Sequence, residues 1–265
     1  MRRLVASAVS SLISGMAVAC PAPQAASRID IYPTARVLPA NLLRMYAYFP
    51  SPMARDGILD HVTLQDAKGV PIEGVFLSNR FDLWSPDSRR LTLLLNPGRV
   101  KTGLAAHEAM GRALTEGAEY TLSIAGAAMD AAGCAVGADT SYTFTAGAPD
   151  TTRPSPQAWE LTVPASRTRQ PLVVAVNDTH DHLSLAYRIR VQDGTGANVA
   201  GRVDLGPAET SWIFVPAEPW HSVTYRLAID ERLEDLAGTR PGGLFDRPIG
   251  RAEKHWPRTI DWEPK

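Results

Sequence analysis

Cysteine is nearly missing from this chain, with only Cys20 and Cys134 among 265 residues. Two thiols cannot supply the multiple staples of a disulfide-dense miniature scaffold or a four-cysteine zinc ribbon. An excess of charge of one sign is missing too: 27 basic side chains face 28 acidic ones, for a formal net charge of −1. That balance gives no general basic field for nucleic acid or an anionic membrane. Beyond residue 19 no segment approaches the ~18 continuous apolar residues of a membrane span. Aromatic residues are 7% of the chain, whereas 21 prolines and 20 glycines punctuate it throughout. Punctuation of that density favours short strands and many turns over long helices.

Catalytic motifs are also wanting. His107-Glu108-Ala-Met-Gly111 starts like a zinc-protease helix but has glycine where the second histidine belongs. Gly194-Thr-Gly196 lies in a hairpin turn with no following helix, unlike a dinucleotide loop. There is no Gly-x-Ser-x-Gly elbow and no Walker loop. The expectation is a non-enzymatic protein with no cofactor.

What is present begins with an address. Arg2-Arg3, the uncharged run Leu4 to Ala19 and the small residues Ala17-Val18-Ala19 read as a secretory signal peptide over residues 1–19. Cys20 follows directly. Small residues leading into a cysteine resemble a bacterial lipobox, in which Cys20 carries lipid, although that pattern has leucine where Ala17 stands. Ordinary cleavage at the same place leaves Cys20 free or paired with Cys134 in an oxidising compartment. Export is expected either way: to the periplasm, to the outer membrane as a lipoprotein, or to the cell surface. Any membrane contact is through lipid on Cys20.

An internal repeat then organises the chain. Residues 62–77 recur at 189–204, with an offset of 127 that pairs Leu64/Val191, Asp66/Asp193, Gly69/Gly196 and Gly74/Gly201. A second block repeats at an offset of 105, where Glu119-Tyr-Thr-Leu-Ser-Ile124 matches Thr224-Tyr-Arg-Leu-Ala-Ile229 and Asp130-Ala-Ala-Gly133 matches Asp235-Leu-Ala-Gly238. Each Asp-x-x-Gly reads as a turn, with aspartate bonding the backbone ahead and glycine accepting positive φ. The proline-rich stretch 148–156 reads as a linker. Domains are therefore expected over 28–147 and 157–250, followed by a C-terminal tail, 251–265.

Strands are expected near 41–49, 60–66, 71–77, 81–84, 90–95, 118–125 and 140–146 in the first copy. The second copy has them near 158–163, 171–177, 187–193, 199–205, 210–215, 223–229 and 243–246. Alternation puts Leu91, Leu93 and Leu95 on one face, and likewise Tyr120, Leu122 and Ile124. Trp212 and Phe214 share a face in the second copy, as do Tyr225, Leu227 and Ile229. Two such sheets packed together make a sandwich, so the fold class is all-β, two tandem β-sandwich domains.

Phe49-Pro-Ser-Pro-Met53 after an apolar strand, the Asp-x-x-Gly hairpin, Glu116-Gly-Ala-Glu-Tyr120 and a further Asp-x-x-Gly resemble the bacterial Ig-like domain first associated with surface-layer proteins. The resemblance covers most of the first copy. In the second, Val176-Asn-Asp-Thr-His180 stands where the Pro-Met element belongs. The resemblance implies immunoglobulin-like sandwiches serving as spacer, adhesive or accessory modules, with no catalytic residues. The expected role is an Ig-like spacer, scaffold or binding module of the bacterial envelope, its partner an envelope protein or surface component.

Two alternatives rest on particular residues. Asp178-Thr-His180-Asp-His182, with His221 brought near, would suit Cu²⁺ or Zn²⁺ in a periplasmic metal binder. The stretch also reads as a solvated turn, which leaves the expected metal set empty. Tryptophans could stack on sugar in a carbohydrate-binding module, Trp220, Trp256 and Trp262 being freer than Trp84, Trp159 and Trp212.

Overall fold

The computed structural model describes residue 20 and residues 28–77, 83–100, 111–176, 178–241 and 259–265. The signal segment 1–19, the expected strand 243–246 and Trp256 lie outside the described residues. Almost every element is a short strand. The first half contains β1 (Asp30–Tyr32), β2 (Val37–Pro39), β3 (Arg44–Tyr48), β4 (Val62–Asp66), β5 (Arg90–Leu94), β6 (Glu119–Ile124) and β7 (Thr140–Gly147). A one-turn helix, α1 (Pro97–Val100), follows β5. The second half contains β8 (Glu160–Thr162), β9 (Leu172–Ala175), helix α2 (His182–Tyr187), β10 (Ile189–Gln192), β11 (Gly201–Leu205), β12 (Ser211–Pro216), β13 (Tyr225–Ile229) and β14 (Thr259–Trp262).

Four sheets result, two per half. In the first half they run β1-β3-β5 and β2-β7-β6-β4, with β2 parallel to β7 and the other pairings antiparallel. In immunoglobulin lettering these are A-B-E and A′-G-F-C, the first strand being shared between both sheets across Pro33. In the second half the orders are β8-β9-β12-β11 and β10-β13-β14. Those are A-B-E-D and C-F-G, the seven-strand constant-type arrangement. The chain folds as two tandem immunoglobulin-like sandwiches.

Each sandwich is closed by the alternation that the sequence displays. Leu91, Leu93, Leu122, Ile124 and Phe144 fill the first core, and Leu172, Val174, Trp212, Phe214 and Leu227 the second. Both F strands carry a tyrosine corner: Tyr120 accepts at its hydroxyl from the Thr115 amide at 2.9 Å, and Tyr225 from the His221 amide at 3.0 Å. The four Asp-x-x-Gly turns close alike. Asp66, Asp130, Asp193 and Asp235 each accept backbone amides from two to four residues ahead. Their glycines, Gly69, Gly133, Gly196 and Gly238, all take φ between +75° and +85°, where a Cβ would strain the chain.

Several expectations need correction. Residues 71–77 form only isolated bridges at Pro71 and Phe76 rather than a strand, because Pro71 and Gly74 interrupt the ladder. Within the span assigned to a tail, Thr259–Trp262 is strand G of the second sandwich, paired along β13. Trp220 and Trp262 are buried in that core, so neither is free to stack on a sugar. The proline-rich segment is packed against the fold: Pro154 and Pro156 are buried, and Asp150 exchanges hydrogen bonds of 2.7 and 2.8 Å with Asn41.

Candidate functional site

Among the described residues, buried polar groups concentrate where the outer face of sheet β1-β3-β5 meets the second sandwich. The first cluster begins with a breach of alternation in β3. Met45 and Ala47 point into the first core, so Arg44, Tyr46 and Tyr48 point outward. Tyr46 is nevertheless only 2% exposed, because the second sandwich covers it.

Asp181 receives that outward face. It caps α2, its Oδ1 accepting from the Ser184 amide at 2.8 Å, an arrangement usual for aspartate at a helix start. Its other oxygen accepts from the Tyr46 hydroxyl at 2.8 Å and lies 3.3 Å from Arg44 Nε. Arg44 also pairs with Glu234 in the F–G turn of the second sandwich, and Glu234 accepts from Arg240 Nε at 2.7 Å. Burial raises the Asp181 carboxyl above its ordinary range, and the Arg44 charge, the Ser184 amide and the Tyr46 hydroxyl offset only part of that rise. The Tyr46 hydroxyl is driven far above its ordinary range by burial and by the Asp181 charge.

A second cluster centres on Glu209, between D and E of the second sandwich. Ala208 and Glu209 both hold positive φ, 55° and 52°. Such strain persists only where surrounding contacts fix it. Here the Glu209 carboxylate accepts from the Thr34 amide at 2.9 Å, while the Ala208 amide donates to Thr34 Oγ1 at 3.0 Å. His182 Nδ1 lies 3.4 Å from Glu209, and its ring packs 3.8 Å, centroid to centroid, from Tyr32. Between the clusters the Leu43 amide donates to the Leu236 carbonyl at 2.9 Å, and the Leu236 side chain enters the first core.

The three histidines of the metal-binding alternative have separate surroundings in this arrangement. His180 is buried edge-on against Trp159, its Nδ1 2.8 Å from the Asp178 carbonyl. His182 faces Tyr32 and Glu209, and His221 stands in the turn before β13. Among the described residues no group of three or more His, Cys, Asp or Glu side chains is arranged to hold a metal ion. The solvated turn expected for 178–182 is corrected as well, since His180 and Asp181 are both buried. Burial depresses the His180 ring below its ordinary range and raises the carboxyl of Asp178. Asp235, buried near Asp150 and Asp178, is pushed up to about 8.

Arg44, Tyr46, Glu209 and Glu234 escape the sequence reading, and Asp181 enters it only as part of the metal-binding alternative. One signal for two of them was available in the repeat. The Ala54 amide donates to the Met129 carbonyl in the first sandwich as the Asp181 amide does to the Glu234 carbonyl in the second, both at 3.1 Å. Asp181 and Glu234 are thus charges placed where the other copy has Ala54 and Met129.

One hollow lies at the junction and another on the second sandwich. A crevice of about 330 Å³ runs between Val37, Asp150, Asp178 and Leu236, and an open hollow of about 710 Å³ lies beside Tyr187, Arg190 and Arg232. In the latter, Asp230 is shared by Arg188 and Arg232, which hold its carboxyl below the usual range.

No family model matches the chain, and no curated protein matches it. Among solved structures it aligns with a fragment of Escherichia coli alpha-2-macroglobulin spanning domains MG0-NIE-MG1, at 14% identity and a TM-score of 0.29, covering 89% of this chain and 71% of that one. It aligns with a chimeric titin Z1Z2 at 15% identity and a TM-score of 0.26, covering 77% and 91% respectively. The chicken CNTN1 FN1-FN3 domains give 13% identity, a TM-score of 0.23 and coverage of 90% and 66%. Similarity at that level carries no argument about role, and the assignment of the fold stands on strand order.

Proposed function

We propose that this chain is an exported, non-enzymatic protein of the bacterial envelope, whose two sandwiches act as one stiff spacer or scaffold holding a surface component or envelope protein at a set distance. The observation that carries this reading is the Tyr46–Asp181–Arg44–Glu234 network across the junction, buried at Tyr46 and Asp181 and half-buried at Arg44 and Glu234. Linked domains move relative to each other by default unless their interface is large or specific. Buried ion pairs contribute little net stability, but breaking one leaves an unpaired charge in low dielectric, so they penalise every other orientation. Asp181 and Glu234 are occupied by Arg44, Arg240, Tyr46 and the Ser184 amide, which suits positioning rather than acid–base work. Export is supported by the Arg2-Arg3, apolar, Ala-Val-Ala sequence and by the Cys20–Cys134 disulfide.

Small-angle scattering of the purified protein, paired with calorimetry, tests the reading. One extended shape with a narrow distance distribution and a single cooperative transition is expected, and the Arg44→Ala variant is expected to broaden the distribution. Two independent transitions with a wild-type distribution as broad as the variant's would overturn it.

A further inference from the structure

We propose that Cys20 is the first residue of the mature protein and that its sulfur is spent in the disulfide with Cys134, so that the exported chain carries no lipid. This rests on the export reading above and decides between its two forms. A cysteine sulfur makes one bond beyond its own Cβ. It can become the thioether of a lipid anchor or half of a disulfide, never both. In the structure it is bonded to Cys134, with the two Cα atoms 5.5 Å apart, within ordinary disulfide reach.

Backbone hydrogen bonds hold Cys134 independently of its bridge to Cys20. It follows the Asp130-x-x-Gly133 turn between F and G of the first sandwich, its amide donating to Asp130 Oδ1 at 2.8 Å and its carbonyl accepting from the Asp130 amide at 2.8 Å. Met53 and Ala135 bridge to the two residues that open the turn, Asp130 and Met129. The thiol position is therefore set by backbone ladders, and Cys134 is buried. The matching residue of the second sandwich is Thr239, whose amide donates to Asp235 Oδ1 at 2.8 Å. The turn closes without sulfur, so the cysteine is not needed for the turn itself. It occurs in the copy whose F–G pole is turned away from the junction. There Met129 and Ala131 stand in place of the docking residues Glu234 and Leu236, and Cys20 meets the turn. Ala17, in the place where a lipid signal has leucine, agrees with ordinary cleavage after Ala19.

The chemistry balances as an exchange. The Cys20 and Cys134 thiols together give up two protons and two electrons to the disulfide of an envelope dithiol oxidase, which leaves as a dithiol.

The full-length chain expressed in a Gram-negative host, fractionated and weighed intact with and without reduction before alkylation, gives the test. A soluble chain starting at Cys20 is expected, accepting two alkyl groups only after reduction. The Cys134→Ala variant is expected to stay soluble with one alkylatable thiol. A diacylglyceryl mass on Cys20, membrane retention of either form, two free thiols in the wild type, or a start beyond Cys20 would each overturn the proposal while leaving export intact. Retention of residues 1–19 would overturn the export reading itself and this proposal with it.

Discussion

His180 occupies in the second sandwich the place that Met53 occupies in the first. Each follows strand B and bridges to the aspartate that opens the F–G turn, Asp235 for His180 and Asp130 for Met53. Met53 fills its place with apolar volume, whereas His180 leaves Nε2 buried with no partner. An unsatisfied buried polar atom costs about 1–3 kcal/mol. His180→Met is therefore expected to raise stability by about 1 kcal/mol at neutral pH, after loss of the Asp178 carbonyl's partner is allowed for. Because burial lowers the His180 pKa, the unfolded chain takes up a proton there first as pH falls through about 6.5, and wild-type stability drops. The advantage of the methionine variant should grow below that pH in urea titrations. A variant less stable than wild type at pH 5.5 would contradict this account.

At the junction, Arg44→Ala leaves Asp181 without a cation, whereas Glu234 keeps Arg240. Removing one partner of a buried pair costs about 3–5 kcal/mol. Since Arg44 retains some exposure, a loss near the lower end, about 3 kcal/mol, is expected. Tyr46→Phe deletes only the hydroxyl bond to a charged acceptor and should cost about 1.5–3 kcal/mol. Urea unfolding of both variants, followed by tryptophan fluorescence, measures these losses. An Arg44→Ala chain of wild-type stability would mean that the network is solvated in solution.

Asp235 sets the pH dependence above neutrality. Its folded pKa of about 8 lies above the ordinary carboxyl value, so the folded chain holds a proton there that the unfolded chain releases. The stability it contributes is complete below the unfolded value and is lost as pH rises toward 8. Between about pH 6.5 and 8 the opposing contribution of His180 is exhausted, and stability should fall by up to about 1.4 kcal/mol per pH unit. Asp235→Asn keeps an oxygen for the Thr239 amide and should flatten that slope. Melting temperatures across this range provide the check.

Reduction or Cys20→Ser/Cys134→Ser releases a cross-link between residues 114 apart in sequence. Chain entropy for a loop of that order gives about 4.7 kcal/mol, and realised values run about 2–4. A fall of about 2–4 kcal/mol in unfolding free energy is expected, and chemical denaturation with and without reductant measures it. A loss below about 0.5 kcal/mol would show that the bridge constrains little of the unfolded chain.

By itself the sequence determined the features that depend on neighbours along the chain. Alternation in Leu91–Leu95, Tyr120–Ile124 and Tyr225–Ile229 set which faces turn inward, and the Asp-x-x-Gly turns set where strands reverse, since both follow from local backbone geometry. The three-residue strands β1 and β2 were not legible, being too short to show a period and interrupted by Pro33 and Pro39. Strand β14 was not legible either, because its tryptophan and charges read as a tail until β13 supplied a partner for its backbone groups. Tertiary structure alone decided the junction. Tyr46 and Asp181 are 135 residues apart, and nothing near either one says that an outward tyrosine will be covered or that an aspartate beside two histidines will cap a helix and take its hydroxyl. Burial of a polar group is favourable only when its partner arrives with it, and here that partner belongs to the other sandwich.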